Sequence, residues 1–182
     1  MARLYMVRHG RAAAGFDVAD PGLDELGRSQ AQAAADKLAA LGPHAILSSP
    51  LARTRETALP LSRVWKREPR IERAVAEIPT PSHLDVRSRV PWLREFMAGS
   101  WRAADPLLAE WRENVLATLT AISDDTVIFS HFIAINVGVG HVVQDDRVVV
   151  FSPDNCSITV FETNGTTLKL VERGHEAATK VN

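Results

Sequence analysis

The sequence is poor in the features that mark secreted and membrane proteins. Cys156 is the only cysteine among 182 residues, so no disulfide can form within the chain and a reducing compartment is expected. The first residues lack the apolar stretch and the small-residue cleavage site of a signal peptide. No apolar run approaches the roughly 20 residues that span a bilayer. These absences predict a cytoplasmic protein with no membrane partner.

An excess of charge of one sign is also missing. The chain has 21 Lys and Arg residues against 22 Asp and Glu residues, a formal net charge of −1. Nucleic-acid-binding domains carry a basic excess, so no nucleic-acid partner is expected and any attraction for phosphate has to be local. Glycine-rich nucleotide-binding loops are absent as well. No residue spacing typical of metal ligands is present, and no metal is predicted.

What the sequence does contain is an alternation of short apolar runs with amphipathic stretches. Its length suits one well-buried core, which predicts a single domain over residues 1–182. The alternation predicts an α/β fold with three α/β/α layers and a mostly parallel central sheet. A hairpin signal, Asn164-Gly165, lies between the last two apolar runs and predicts an antiparallel edge strand.

The element boundaries follow from periodicity and from turn residues. Pro60 is expected to end or kink the second helix, and Pro91 to interrupt the third. Residues 76–106 are predicted to form a variable cap, and residues from about 174 a loose tail. The predicted strands are residues 4–7, 45–47, 70–75, 126–129, 148–151, 157–163 and 167–172; the predicted helices are residues 23–41, 50–60, 83–97, 106–122 and 133–143.

Three of the predicted strands stop abruptly at groups suited to binding phosphate. The first ends in Arg8-His9-Gly10, the second in Ser48-Ser49-Pro50 with Arg53 one turn later, and the third in Ser130-His131. Ligands of open α/β sheets bind beyond the carboxyl ends of the strands. Guanidinium groups match phosphate oxygens, and a helix N-terminus near Ser49 would add N–H donors. Parallel pairing of these strands would therefore build a phosphoryl site.

Such a site has candidates for each step of phosphoryl transfer. A neutral imidazole attacks phosphorus through one ring nitrogen if the other nitrogen is held as a donor. Glu77, just before the proline-containing loop of residues 78–82, is the candidate acid, with Glu72 as the alternative. Arg11 either lines the mouth of the site or is a solvated loop arginine. Trp92 and Trp101 lie in the variable cap, where one is a candidate to touch substrate.

Together these motifs resemble the histidine phosphatase superfamily, the phosphoglycerate-mutase-like proteins, and within it the short phosphatase-type branch. The resemblance covers the chain from Leu4 to about Phe161. It is carried by Arg8-His9-Gly10, by Leu23 to Ala31 (LDELGRSQA), by Ser48 to Ala58 (SSPLARTRETA) and by Val127 to His131 (VIFSH), with a weaker echo in Asn155 to Ile158 (NCSI).

The resemblance implies a role for each candidate residue. His9 would be the nucleophile that becomes phosphohistidine. Arg8 and Arg53 would bind the phosphoryl oxygens, and His131 would be the second histidine of the phosphate pocket. Glu77 matches the acid that protonates the leaving group. The resemblance implies no metal, and the reaction is predicted to need no cofactor.

The expected function is a phosphatase acting on a small phosphorylated substrate, a phosphomonoester. A phosphohistidine on a protein is the alternative substrate, and a mutase or a non-catalytic phosphate-binding module are weaker alternatives. The chain departs from the family pattern after Gly10, where Arg11 is followed by Ala12-Ala13-Ala14. It departs again after Glu77, and Phe132 stands where a glycine is often found. These departures lie in the predicted substrate pocket.

Overall fold

The computed structural model describes residues 1–14 and 18–177. In this part of the chain no helix is long and apolar enough to cross a membrane. Single turns of 3-10 helix are formed by Ala39–Leu41, Arg73–Val75 and Trp101–Ala103. The strands are β1 (Ala2–Arg8), β2 (Ala45–Ser48), β3 (Arg70–Ile71), β4 (Thr126–Ser130), β5 (Ile158–Thr163) and β6 (Leu168–Glu172); the α-helices are α1 (Glu25–Leu38), α2 (Ala52–Trp65), α3 (Val86–Met97), α4 (Pro106–Ala121) and α5 (Phe132–Val143).

The strands form one sheet in the order β3-β2-β4-β1-β5-β6. Parallel pairs join β1 to β4, β4 to β2 and β2 to β3, whereas β5 pairs antiparallel with both β1 and β6. The hairpin between β5 and β6 turns at Gly165, whose φ of 90° suits a residue without a Cβ. The predicted α/β fold is confirmed, with its mostly parallel sheet and antiparallel edge.

The two faces of the sheet bury different core clusters. On β1, Leu4 and Met6 lie in the core formed with α4 and α5, whereas Tyr5 and Val7 lie in the core formed with α1 and α2. Successive side chains of a strand point to opposite faces, so a continuous apolar run indicates a strand covered on both sides. The central strands are therefore held between two helical layers, and their carboxyl ends are fixed in position.

Helix α1 is shorter than predicted, and the face that it buries consists mainly of small residues. Asp24 is its N-cap and accepts a hydrogen bond from the Gly27 backbone N–H at 2.7 Å, so the helix begins at Glu25 and not at residue 23. Leu26 and Leu41, which the periodicity places in the core, are 45% and 43% exposed. Small residues of α1 are buried in their place, which brings the helix close to its neighbours.

The two prolines do not end the helices that contain them. Helix α2 continues for five residues after Pro60, and α3 runs through Pro91. A proline within a helix costs about 3 kcal/mol, but the turns that follow bury Leu61 and Trp65 in α2 and Leu93 in α3. The predicted interruption at Pro91 is wrong, and so is a helix end at Pro60.

The predicted strand at residues 148–151 is wrong. Asn136, fully buried in α5, accepts hydrogen bonds from the backbone N–H groups of Val150 (2.8 Å) and Phe151 (3.1 Å). These donors are satisfied by a side chain, so the segment has no need of a strand partner. The predicted strand at 70–75 is reduced to Arg70–Ile71, because Glu72 caps the 3-10 turn that follows.

The segment after β6 is tied down where a loose tail is predicted. Ala177 donates its backbone N–H to the Ser152 carbonyl, and Asp154 donates to the His175 carbonyl. A bridge also pairs Pro153 with Glu176. Residues 174–177 therefore support the loop that carries Pro153, while residues 178–182 of the predicted tail lie outside the described residues.

Candidate active site

A cavity of about 310 Å³ lies where β1, β2 and β4 end, and we refer to it as the sheet-edge cavity. This volume is at the lower end of the ~300–1,000 Å³ typical of small-molecule pockets. Among the predicted site residues it is lined by Arg8, His9, Arg11, Arg53 and Glu77. His131 is fully buried behind the wall, with its ring centroid 5.3 Å from that of His9. The structure thus brings the six predicted residues to one place.

Parallel pairing of β1 with β4 sets the position of His9. Arg8 is in register with Ser130, and the backbone N–H of His9 donates to the Ser130 carbonyl at 3.0 Å. The His9 ring places Nδ1 2.8 Å from the Gly10 carbonyl oxygen, which can only accept. Nδ1 therefore carries the proton, and Nε2 keeps a free electron pair. This is the form of imidazole that acts as a nucleophile.

The environment keeps His9 uncharged. Burial lowers the pKa of His9 to about 3, and the nearby positive charges of Arg53 and Arg8 act in the same direction, against the opposing hydrogen bond to Gly10. Burial likewise lowers the pKa of His131 well below its usual value, and repulsion from His9 and the two arginines adds to that effect. Both imidazoles are therefore neutral at pH 7.

This neutrality predicts a loss of stability in acid. The pKa of His9 is about 3 in the folded protein and about 6.5 in an unfolded chain, so unfolding takes up a proton between these values. The free energy of unfolding should therefore fall as the pH drops below about 6.5. Between pH 7 and 4.5 the contribution of His9 to this fall is about 2–3 kcal/mol.

Urea denaturation at the two pH values, with wild type and the His9→Gln variant, measures that contribution. The variant should lose about 2–3 kcal/mol less than wild type on acidification. The exposed His141 gives a matched control, since His141→Gln should keep the wild-type dependence. An equal acid loss in wild type and His9→Gln would contradict a neutral, buried His9.

Arg53 and Glu77 meet across the cavity from different elements. Arg53 lies on the first turn of α2 and is 7% exposed, while Glu77 follows the 3-10 turn after β3. Oε2 of Glu77 is 3.3 Å from Nη2 of Arg53 and 3.5 Å from Nδ1 of His131. Its other oxygen, Oε1, accepts from the Ile78 backbone N–H at 3.1 Å. The carboxylate is thus held at the cavity wall between two nitrogen groups.

Arg8, which is half-buried, supplies a second guanidinium. Its Nη1 donates to the Pro153 carbonyl at 2.8 Å, and the guanidinium carbon lies 5.1 Å from the centre of the Phe132 ring. Burial lowers the pKa of Arg8, although an arginine remains charged at any relevant pH. Arg53 adds the other guanidinium and Glu77 is the only carboxylate in the described part of the lining, so the cavity floor carries an excess of positive charge there. It therefore suits an anionic group.

Sequence reasoning missed the role of Ser49. Its Oγ accepts from the Leu51 backbone N–H at 3.3 Å and lies 2.8 Å from Nε2 of His131. The Glu77 carboxylate oxygen 3.5 Å from Nδ1 favours a proton on that nitrogen, so we place the His131 proton on Nδ1 and the Ser49 hydroxyl donates to Nε2. That Nδ1 is buried and has no hydrogen-bond partner among the described residues. His131 therefore offers an N–H donor next to Glu77, although it is neutral.

The Ser-Ser-Pro motif predicts a helix N-terminus near Ser49 that adds N–H donors to the site. Helix α2 begins at Ala52, and the Ala52 N–H donates to the Asp20 carboxylate at 2.8 Å, so this donor is already used within the protein. Helix α5 also begins beside the cavity, at Phe132 directly after His131, and neither α2 nor α5 has a side-chain cap from its N-cap residue. The signal that could have identified Ser49 is its position directly after β2, since β2 pairs with β4 and His131 directly follows β4.

Further motif residues hold the loop after β1. The Gly10 N–H donates to Oγ1 of Thr57 at 3.0 Å, which ties the loop to α2. A Cβ on Gly10 would lie 2.5 Å from the Gly27 carbonyl oxygen, so the loop and α1 approach too closely for a larger residue. Asn155, part of the weak echo, donates through Nδ2 to the His9 carbonyl at 2.8 Å. The motifs therefore cooperate to fix His9.

The remaining candidates are placed as follows. Arg11 lies at the cavity mouth, exposed and paired through Nε with the Asp24 carboxylate. Glu72, the alternative acid, lines a different depression and accepts from the Ala74 N–H. Trp92 and Trp101 are absent from the described lining of the sheet-edge cavity, because both pack against Phe96 instead. The part of the cap region that lines the sheet-edge cavity is α3, through Arg89, Leu93 and Met97.

No cluster suited to a metal ion is seen in the described ranges. There, no three or more His, Cys, Asp or Glu side chains lie close enough together to hold one. Among the residues that the structure describes, the cavity presents guanidinium and imidazole groups with one carboxylate, a set that favours an anion over a cation.

The chain is similar to several solved structures over nearly its whole length. The phosphoserine phosphatase of Entamoeba histolytica in complex with 3-phosphoglyceric acid is 20% identical, with a TM-score of 0.72 and 98% of each chain covered. Mycobacterial glucosyl-3-phosphoglycerate phosphatase with VO3 is 22% identical, with a TM-score of 0.68 and coverage of 94% of this chain and 98% of that one. YhfR of Bacillus stearothermophilus is 20% identical, with a TM-score of 0.76 and coverage of 93% and 95%. These likenesses show a shared fold.

A curated relative matches a shorter stretch. The PE-PGRS family protein PE_PGRS11 of Mycobacterium tuberculosis (strain ATCC 25618 / H37Rv) is 46% identical over 79 residues, which is 40% of this chain. The match spans 14% of that relative's length. A model of the histidine phosphatase superfamily (branch 1) matches residues 4–175, which confirms the resemblance drawn from the motifs. The chain belongs to the histidine phosphatase superfamily, branch 1.

Proposed function

We propose that the protein is a phosphatase that hydrolyses a phosphomonoester through a covalent phosphohistidine on His9. The observation that carries this proposal is the neutral His9 ring, whose Nδ1 is bound to the Gly10 carbonyl while Nε2 stays free in a cavity that the guanidinium groups of Arg8 and Arg53 also line. A nucleophile next to fixed positive charge is what transfer of a phosphoryl dianion requires. Membership of the superfamily supports the same reaction class.

In the first step Nε2 of His9 attacks phosphorus as the bond to the ester oxygen breaks. Arg8, Arg53 and the Nδ1–H of His131 bind the non-bridging oxygens and stabilise the charge that spreads over them. Glu77 in its protonated form donates a proton to the departing oxygen, so that an alcohol leaves. The products of this step are phosphohistidine and a carboxylate at Glu77.

In the second step water attacks the phosphohistidine. Glu77 takes a proton from that water, and the bond between phosphorus and Nε2 breaks, which restores the neutral imidazole and releases inorganic phosphate. The position of Glu77 supports both tasks, because its Oε2 already lies beside Arg53 and His131, the groups assigned to the phosphoryl oxygens. One carboxyl group therefore serves as acid and then as base.

Release of inorganic phosphate from a panel of substrates tests the proposal. The panel should hold small phosphomonoesters, a protein carrying phosphohistidine, and p-nitrophenyl phosphate as an activated ester. Turnover of phosphomonoesters is the expected result. Preferential turnover of the phosphoprotein would favour the phosphohistidine alternative, retention of the phosphate on an isomer of the substrate would indicate a mutase, and binding without turnover would indicate a phosphate-binding module.

Ser49 should act as a positioning residue through the tautomer of His131. In Ser49→Ala the His131 Nε2 loses its partner, so the proton is no longer held on Nδ1 and a donor to the phosphoryl oxygen is lost. We expect kcat/KM to fall about tenfold to hundredfold and inhibition by vanadate to weaken. Nitrogen NMR of the imidazoles should show a shift of the His131 proton from Nδ1 to Nε2.

Two serine variants separate this role from packing. Ser49→Thr keeps a hydroxyl and should restore most of the activity. Ser48→Ala removes the neighbouring buried hydroxyl, which bonds to the Ser49 carbonyl and not to His131, and should leave the His131 tautomer unchanged. An unchanged His131 tautomer in Ser49→Ala would contradict the assignment.

A further inference from the structure

The wall of the sheet-edge cavity above the phosphoryl site is mainly apolar. Leu93 and Met97 reach it from α3, Phe132 and Ile133 from the first turn of α5, and Leu51 from the residue before α2. Leu93, Phe132 and Ile133 are also part of the hydrophobic core, between 2% and 7% exposed. These side chains are held firmly, so the wall keeps its shape when a substrate enters.

The polar side chains described in the wall each make a hydrogen bond or ion pair within the protein. Besides the residues assigned to phosphoryl transfer, the lining includes Arg11, Arg89 and Asn155. Arg11 pairs with Asp24, Arg89 donates through Nε to the Thr80 hydroxyl at 2.6 Å, and Asn155 donates to the His9 carbonyl. A sugar hydroxyl placed against the aliphatic side chains would give up hydrogen bonds to water without gaining new ones.

The size of the cavity limits what can lie against this wall. About 310 Å³ has to hold the phosphoryl group as well as the body of the leaving group. A ring or a short branched chain fits that space, whereas a long acyl chain or a folded protein segment would extend out of it. The wall and the volume therefore describe a leaving group that is compact and apolar.

We infer that the substrate is a phosphomonoester of a compact apolar alcohol, and not of a polyhydroxylated one such as a sugar or a glycerate. This inference rests on the proposed phosphatase function and names its substrate class. The phosphate is bound by Arg8, Arg53 and His131, and the carbon body lies against Leu51, Met97 and Phe132. Specificity comes from burial of apolar surface against these three side chains, which offer no hydrogen-bond partner to a hydroxyl group.

Two matched substrates test this inference. Cyclohexylmethyl phosphate and glucose 6-phosphate both carry a six-membered ring on a CH2–O–phosphate group, so size and leaving-group type are similar while the hydroxyl groups differ. We expect kcat/KM to be at least about tenfold higher for cyclohexylmethyl phosphate. The electron-withdrawing ring of glucose makes its oxygen the better leaving group. A preference for cyclohexylmethyl phosphate therefore reports recognition of the apolar ring and not leaving-group reactivity.

Variants of the wall link the preference to named residues. Met97→Gln replaces a half-buried apolar side chain with a polar one of similar length and should lower kcat/KM for cyclohexylmethyl phosphate about tenfold. Inhibition by inorganic phosphate, which reports the phosphoryl site alone, should stay as in wild type. Met97→Leu is the matched control and should keep the preference. Leu51→Gln with Leu51→Met repeats the test on the opposite wall.

The outcomes separate this inference from the function on which it rests. Equal rates on the two substrates, a preference for glucose 6-phosphate, or faster turnover of a phosphohistidine protein would overturn the inference while phosphatase activity stands. Failure to hydrolyse even p-nitrophenyl phosphate would overturn the proposed function and this inference with it. If a folded Met97→Gln variant keeps the full preference for cyclohexylmethyl phosphate, the inference that Met97 contributes to specificity is wrong.

Discussion

His9→Ala is expected to lower kcat by about 10⁴-fold or more, the largest effect of any single substitution in this chain. Nε2 of His9 is the proposed attacking atom, and its Nδ1 is fixed on the Gly10 carbonyl. His131 does not replace it, because its Nε2 is bound to the Ser49 hydroxyl. Without His9 the guanidinium groups still bind phosphate, but the covalent step has no nucleophile.

Labelling distinguishes loss of the nucleophile from loss of the fold. Brief incubation of wild type with a labelled phosphate donor, followed by quenching in base, should leave phosphate on the protein that acid then removes. His9→Ala should show none, yet it should bind vanadate or inorganic phosphate. His141→Ala, at an exposed position on α5, should label and turn over as wild type does. Acid-labile labelling of His9→Ala would contradict the assignment of His9 as the nucleophile.

Glu77→Gln is expected to slow esters with poor leaving groups far more than activated ones. An alkyl phosphate needs a proton on its departing oxygen, and loss of the acid should lower kcat/KM about 10²–10⁴-fold. The p-nitrophenolate ion leaves without that proton, so its ester should lose about tenfold or less. Glutamine keeps the size of Glu77 and removes its charge from Arg53 and His131. Phosphate binding should therefore not weaken.

Glu72→Gln is the matched control for the position of the acid. Glu72 lies five residues before Glu77, but it caps the 3-10 turn and is absent from the described lining of the sheet-edge cavity. We expect both substrates to be hydrolysed at close to wild-type rates. If Glu77→Gln slows the alkyl and aryl esters equally, Glu77 is not the acid, and a selective loss in Glu72→Gln would transfer the role.

Local patterns predicted most of the fold. The apolar runs that became β1 and β4 are covered on both faces, and such strands carry an unbroken apolar signal. The errors occurred where side chains act over long sequence distances. Buried Asn136 takes the backbone donors of Val150 and Phe151, which no local pattern of residues 148–151 discloses. Pro60 is tolerated in α2 because the turn after it is buried.

The candidate site shows the same division. His9 and His131 were identified because each directly follows an apolar strand, and adjacent parallel strands bring such residues together. Ser49 was assigned to a helix start, because its contact with His131 spans 82 residues of sequence. Helix α3 was identified as a helix, but whether its Trp92 or its Leu93 and Met97 face the cavity depends on how it packs.

By itself the sequence determined the α/β architecture and the superfamily, and it predicted the residues that we propose bind the phosphoryl group, because these depend on strand ends and on motifs that are local in the chain. The tertiary structure decided the protonation state of His9, the tautomer of His131 and the apolar wall from α3 and α5. Burial lowers the pKa of His9 to about 3, and burial is a property of the whole packed molecule. The residues of the proposed reaction are therefore found in local motifs. The pKa of His9 and the shape of the apolar wall depend on residues that are distant in sequence.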